Sequence, residues 1–336
     1  MNVRCLPPLR AFLVLLFSLA SALPASAQTQ APASSWKPDI VLSEPEAFTF
    51  VGYGDIRFSD PTDGRYSNAA VRRAEIARIV QEKPAFVAIS GDLVLSGDNA
   101  QDWKVFDTET APLKQAGFEL LPALGNHDVH GVEERALANY FKRFPRLQEK
   151  RWYSVRAGNL LMFILDSTSP NSPGSLQWQW LEAGLDSLPP DVDFVLLVLH
   201  HPPLTHSQDS AVGGGHSARV PEQQLASMLE RRQQNLRARI IVMAGHVHNY
   251  ERYEHGGVTY LVSGGGGATP YMISRSGSDF YRDPGPTYHI CTFSVQHDEL
   301  RLQMLKLTFD GAQAQWTVKD SFVSRAAAAR PAASGH

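Results

Sequence analysis

The sequence predicts an α/β protein, and three observations carry that expectation. Short apolar segments rich in Val, Ile and Phe alternate, from Ala47 to Ser263, with longer stretches whose apolar residues recur at helical spacing. After Tyr288 the pattern changes to strands in which apolar and polar residues alternate. Five of the short segments end in a loop that at once presents Asp, Asn or His. Strands alternating with helices imply βαβ units and a largely parallel sheet, with antiparallel strands added late.

Taken in order, residues 1–27 read as a secretory signal peptide. Arg4 and Arg10 give the positive region, Ala11 to Leu23 the apolar run, and Ala25-Ser26-Ala27 the cleavage site. That run is shorter than the ~20 residues of an ordinary membrane span; the alternative is an uncleaved N-terminal anchor. No later segment is apolar enough to cross a bilayer, so a periplasmic or secreted protein without stable membrane insertion is expected. Residues 28–46 read as a flexible leader, 47–322 as one large domain, and the Ala-rich residues 323–336 as a disordered tail. Cys5 falls in the signal peptide, which leaves Cys291 alone and predicts no internal disulfide.

Within the domain, strands are expected at Ala47–Tyr53, Ala85–Ser90, Phe118–Leu124, Trp152–Val155, Leu160–Leu165, Asp193–Leu199, Ala238–Met243 and Val258–Ser263. Helices are expected over Asn68–Lys83, Gln101–Gln115, Val132–Phe144, Ser175–Leu188 and Pro221–Gln234, the fourth with Leu176, Trp180 and Leu181 on one face. The closing strands are expected at Tyr288–Val295, Glu299–Leu307 and Gln313–Ser321. Asp209 to His216 is a Gly-rich loop, either a plain insertion or a segment that closes over a site. The formal charge is −3 and no Lys/Arg stripe stands out, which argues against nucleic-acid binding.

The chemistry lies in the strand-end loops: Gly54-Asp55, Gly91-Asp92, Gly125-Asn126-His127-Asp128, His200-His201 and Gly245-His246-Val247-His248. Sites in open α/β sheets lie beyond the carboxyl ends of the strands, so the five loops can converge. Each motif alone is commonplace; the ordered set at strand ends is not. Asp, Asn and His offer oxygen and imidazole donors without thiolate, which suits Zn, Mn or Fe ions. Two such ions ~3.5–4 Å apart can polarise a phosphate and lower the pKa of a bound water.

The set GDIR (54–57), GDLVLSG (91–97), GNHD (125–128), HHPP (200–203) and GHVHNYER (245–252) resembles the calcineurin-like metallophosphoesterase superfamily. HVHNYER and the GGGGA run at 264–268 are most similar to its purple acid phosphatase branch. The resemblance spans Phe48 to Ala268. It implies a four-layer α/β/β/α sandwich of two mixed sheets flanked by helices, with two divalent or trivalent transition-metal ions (Fe, Zn or Mn) at one end. It assigns Asp92 as the bridging ligand, Asn126, His200 and His246 to one ion, and Asp55 and His248 to the other. It gives His127 the role of general acid or stabiliser of the phosphoryl oxygens, has Asp128 orient His127, and leaves His201 outside the ligand set. Tyr250, Glu251 and Arg252 would support the loop of His246 and His248.

Two positions depart from the family pattern. Arg57 stands where many members have a ligand histidine and the purple enzymes a glycine, and Leu95 stands where the purple enzymes have a tyrosine. The Asp55 ion is therefore one ligand short and no purple colour is expected. Arg57 is a cation: either it grips the substrate phosphate bidentately or it pairs with an acidic neighbour. Asn126, Arg57 and His216 are candidate substrate contacts, His206 and His216 being either phosphate-reaching or solvated. The activity implied is hydrolysis of a small phosphate monoester by a metal-bound hydroxide. The alternatives are a diesterase, cyclic nucleotides included, and a degenerate protein that binds phosphate or a glycan without turnover.

Overall fold

The computed structural model describes residues 36–43, 47–207, 216–277 and 279–327. The expected signal peptide, parts of the leader, the Gly-rich loop apart from His216, and the end of the chain lie outside the described residues. Two mixed sheets form the centre. The first has six strands in the order β13-β12-β11-β2-β3-β4: Gln313–Arg325, Glu299–Asp310, Tyr288–Gln296, Ala47–Tyr53, Phe86–Ile89 and Glu119–Pro122. The second has seven in the order β1-β5-β6-β7-β8-β10-β9: Ile40–Leu42, Tyr153–Ala157, Leu160–Ile164, Phe194–Val198, Arg239–Ala244, Val258–Ser263 and Tyr250–His255. The parallel pairs are β2–β3, β3–β4, β1–β5, β6–β7, β7–β8 and β8–β10; the other neighbours run antiparallel. The fold is the sandwich of two mixed sheets that the motifs imply, and not the single largely parallel sheet that alternation alone suggests.

The period of two along each strand divides the core. From the second sheet, Met162, Ile164, Leu196, Val198, Ile241 and Met243 pack toward the first sheet, joining Phe50, Phe86 and Phe293. Their sequence neighbours Leu161, Phe163, Val195, Leu197, Ile240 and Val242 face the opposite way. They pack there against α5 (Leu176–Asp186) and α6 (Val220–Gln233) through Trp178, Leu181, Leu185, Leu225 and Leu229. Strands apolar on both faces are what burial between a sheet and a helical layer demands. On the far side of the first sheet lies α1 (Ala69–Glu82), which buries Val71, Ile76 and Ile79 and is capped by Asn68 accepting from the amides of Ala70 and Val71. The helices α2 (Ala100–Glu109), α3 (Ala111–Gln115) and α4 (Glu133–Arg143) complete the chain order.

Several expectations change in detail. Residues 101–115 form two helices because the chain breaks at Thr110, with Pro112 in the first turn of α3. Part of the stretch read as leader forms β1, paired parallel with β5, and β13 runs beyond 322 to Arg325 opposite Glu299. The buried face of α5 is Trp178, Leu181 and Leu185; Leu176 is 77 % exposed, because it sits in the first turn just after the Ser175 cap. The strand β9 was not expected from YERYEH, a polar segment that suits an edge position. Cys291 is a buried free thiol.

Candidate metal centre

The loops after β2, β3 and β4 in one sheet meet those after β7 and β8 in the other. Their backbones are laced together: the Asp55 amide donates to the Gly91 carbonyl, those of Ile56 and Arg57 to the Asp92 carbonyl, and that of Gly245 to the His200 carbonyl. Two glycines are required by this closeness. A Cβ at Gly125 would lie 2.3 Å from the Asp92 amide nitrogen, and one at Gly245 2.4 Å from Asp55 Oδ2. Asp55, Arg57, Asp92 and His246 all adopt the left-handed region, at φ 56°, 51°, 54° and 69°. They are four of the eight non-glycine residues that do so among the described residues, so unfavourable backbone is concentrated here.

Four donors face one point. His200 Nε2 lies 2.9 Å from Asn126 Oδ1, 3.2 Å from His246 Nδ1 and 3.3 Å from Asp92 Oδ1, and His246 Nδ1 is 3.1 Å from Asn126 Oδ1. Metal–ligand bonds of ~2.0–2.1 Å set tetrahedral edges of about 3.3 Å, so these separations match a shared cation. Proton bookkeeping points the same way. His200 Nδ1 faces the Ser90 carbonyl at 3.0 Å and so carries the hydrogen. Burial lowers the His200 pKa and keeps the ring neutral, and Nε2 is left as a lone pair aimed at two oxygen acceptors. A shared cation satisfies that arrangement.

Beside this group, His248 repeats the pattern. Its Nδ1 faces the Thr269 carbonyl at 2.9 Å, and its buried Nε2 has no hydrogen-bond partner and lies 3.5 Å from Asp55 Oδ1. Burial, with Arg57 nearby, pushes His248 down to about 3, so Nε2 is again a lone pair. Burial and then the charge of Asp92 raise the Asp55 pKa well above its ordinary value. For Asp92, burial is outweighed by His200, Arg57 and His127, which hold its carboxyl far below the usual range. Two buried carboxylates this close ionise together only with positive charge between them. Asp55, Asp92 and His200 offer ligand atoms within 4.8 Å of one another, as do His200, His201 and His246. The donor set fits transition-metal ions.

Other expected residues fall around these donors. Arg57 takes the second of its two alternatives: Nε and Nη2 donate to Asp92 Oδ2 at 3.3 and 3.2 Å. His127 Nδ1 faces the Leu95 carbonyl at 2.6 Å and its amide donates to Asp92 Oδ1 at 3.0 Å, which leaves Nε2 for the cavity. Asp128 does not orient His127; its carboxylate accepts from the amides of Leu93, Val94 and Gly125 and so binds two of the loops together. The His216 ring stands 4.8 Å from His246 and 5.3 Å from Tyr271, centroid to centroid. A cavity of about 330 Å³ opens over the donors, lined by Arg57, Asn126, His127, His216, His246 and His248 together with Arg65, Tyr66, Thr269 and Tyr271.

Residues 48–250 match the family model for calcineurin-like phosphoesterases. The chain belongs to the calcineurin-like phosphoesterase family. It is 26 % identical over 216 residues to a probable purple acid phosphatase of Arabidopsis thaliana, covering 59 % of this chain and 48 % of that protein. It is 33 % identical over 153 residues to a phosphoenolpyruvate phosphatase of Allium cepa, covering 42 % of this chain and 30 % of the relative. This phosphoesterase chain thus spans about half the length or less of those curated relatives. A purple acid phosphatase from yellow lupin (Lupinus luteus) seeds shares the fold, with a TM-score of 0.67 at 19 % identity over 88 % of this chain and 56 % of that one.

Against the family pattern, His201 is closer to the centre than expected, 4.4 Å from the His246 ring, with Nδ1 at 2.8 Å from Ser167 Oγ. His206 does not reach the cavity: its Nδ1 is 3.1 Å from Asp279 and its amide donates to Glu251. Arg65, Tyr66, Thr269 and Tyr271 were not singled out from the sequence, since they lie in irregular segments that have no period to read. The Gly264–Gly267 run was the available signal for the last two. No helix among the described residues is long and apolar enough to cross a membrane.

Proposed function

We propose that this calcineurin-like phosphoesterase is an exported, metal-dependent hydrolase of phosphate monoesters. The observation that carries the reading is the convergence of Asp92, Asn126, His200 and His246, with Asp55 and His248 beside them, at the base of an open cavity. Asp92, Asn126, His200 and His246 would hold one ion, and Asp55 and His248 with Asp92 the other. Bound there, such ions neutralise the phosphoryl oxygens and lower the pKa of a water.

The chain's own groups supply the rest. The ester oxygen must leave with a proton, and His127 is the imidazole on the cavity wall whose Nε2 is uncommitted. The Leu95 carbonyl accepts the Nδ1 hydrogen, so His127 delivers a proton from Nε2 as the imidazolium, a form that burial disfavours and the charge of Asp92 favours. His216 and Arg65 add donors at the rim, and Tyr66 and Tyr271 give the cavity an aromatic side suited to the organic part of an ester. The plant relatives, a purple acid phosphatase and a phosphoenolpyruvate phosphatase by name, support monoesters over diesters.

The test is metal analysis of the purified chain beside assays on an aryl phosphate and a bis-aryl phosphate. Bound transition metal with hydrolysis of the monoester, lost together in Asp92→Ala, supports the reading. A metal-free chain that binds phosphate without turnover replaces it with the degenerate binding protein.

A further inference from the structure

We propose that Arg57 is a resident cation on the shared carboxylate and makes the two ion positions unequal. The position formed by Asp92, Asn126, His200 and His246 binds tightly; the one formed by Asp55 and His248 binds weakly and exchanges. The inference rests on the metal-centre reading above and extends it to the order and strength of loading.

The asymmetry is built into Asp92. Its Oδ1 faces His200 at 3.3 Å and accepts the His127 amide, on the side of the four converging donors. Its Oδ2, the oxygen left for a second ion, faces the Arg57 guanidinium instead. Arg57 is fixed from both ends, since its amide also donates to the Asp92 carbonyl at 2.9 Å. The side chain is 13 % exposed, so its charge acts with little screening on whatever cation approaches Asp55. Leu95 supplies no ligand there; its carbonyl is taken by His127. A second ion thus meets two donors, a contested third and an adjacent positive charge.

Arg57 competes without excluding. Its contacts to Asp92, 3.2 and 3.3 Å, are long for a guanidinium–carboxylate pair, for which 2.7–2.9 Å is usual. The Arg252–Asp320 pair in the same chain, at 2.6 and 2.9 Å, is what a committed pair looks like. An ion at high concentration can therefore displace Arg57 from Oδ2.

Mn²⁺ serves as the probe, on the full-length protein stripped with a chelator. Reloaded wild type passed through metal-free buffer should keep one equivalent, with an uncoupled Mn²⁺ EPR spectrum. A second equivalent should bind about 10–100-fold more weakly, the size of effect that groups hydrogen-bonded to a ligand have on metal affinity. Arg57→His, which restores a ligand in a residue tolerant of left-handed backbone, should keep two equivalents with a spin-coupled spectrum. Arg57→Gly, equally tolerant of φ 51°, should tighten the second site without supplying a ligand. Wild type that keeps two coupled ions, or an Arg57→Gly second site no tighter than wild type, overturns the proposal. An aryl-phosphate assay on the same samples separates the failures: two tight ions with hydrolysis overturn only the inequality, whereas no retained metal and no hydrolysis overturn the hydrolase reading with it.

Discussion

His127 illustrates how a single proton position limits what a residue can do. With Nδ1 committed to the Leu95 carbonyl, only Nε2 can serve the cavity, and no donor atom of the ring joins the converging group. Replacing it by alanine should lower kcat by roughly 10²–10⁴-fold, the usual contribution of a positioned acid. Metal content measured on the same sample should not change; lost metal would make His127 a ligand-shell residue instead. Glu75 makes a second prediction at this scale. It is fully buried on α1, neither carboxylate oxygen has a hydrogen-bond partner, and burial raises its pKa well above the ordinary 4.5. The folded chain therefore holds a proton there that the unfolded chain releases, and this group's contribution to stability declines as pH rises from about 4.5 toward the folded value. Glu75→Gln, which keeps the shape of the protonated acid, should melt higher than wild type at pH 8 and nearly level with it at pH 4. A melting difference that grows in the opposite direction would refute the assignment.

At the scale of elements, the carboxylate of Asp320 on β13 accepts from the Tyr250 hydroxyl and from two nitrogens of Arg252, both on β9. These are edge strands of different sheets, so one carboxylate ties the two edges together. Asp320→Ala leaves Arg252 buried without its partner and should cost roughly 3 kcal/mol, readable as a lower urea midpoint. Strands with an unbroken apolar run, such as β7, were legible in the sequence because burial on both faces excludes polar residues. The segment YERYEH was not, since its charges are satisfied by β13 and by the loop holding Thr205, residues far away in sequence. The candidate ligands were legible for a different reason: one loop that presents Asp, Asn or His is commonplace, but five such loops in order at strand ends are not. Arg57 was left open between two roles because only the fold sets it beside Asp92, and Asp128 was given the wrong partner because the amides of Leu93 and Val94 reach it only across the β3–β4 loops.

For the whole molecule, the donors divide between the sheets: Asp55, Asp92 and Asn126 from the six-stranded one, His200, His246 and His248 from the seven-stranded one. Bound ions would stabilise the folded form by linkage, about 2.7 kcal/mol at a free concentration 100 times Kd. Chelation should therefore lower the melting temperature. It should also raise amide exchange in residues 90–95 and 245–250 together, while the strands backed by α5 and α6 keep their protection. Exchange rising in only one of those loops would argue against a shared centre. A chain still being threaded has no such centre: residue 55 and residue 248 come together only once both sheets have docked. If the chain leaves the cell unfolded, as the proposed export would have it, the metal it acquires is chosen by the chemistry of the place where folding ends, and not by the cytoplasm where it was made.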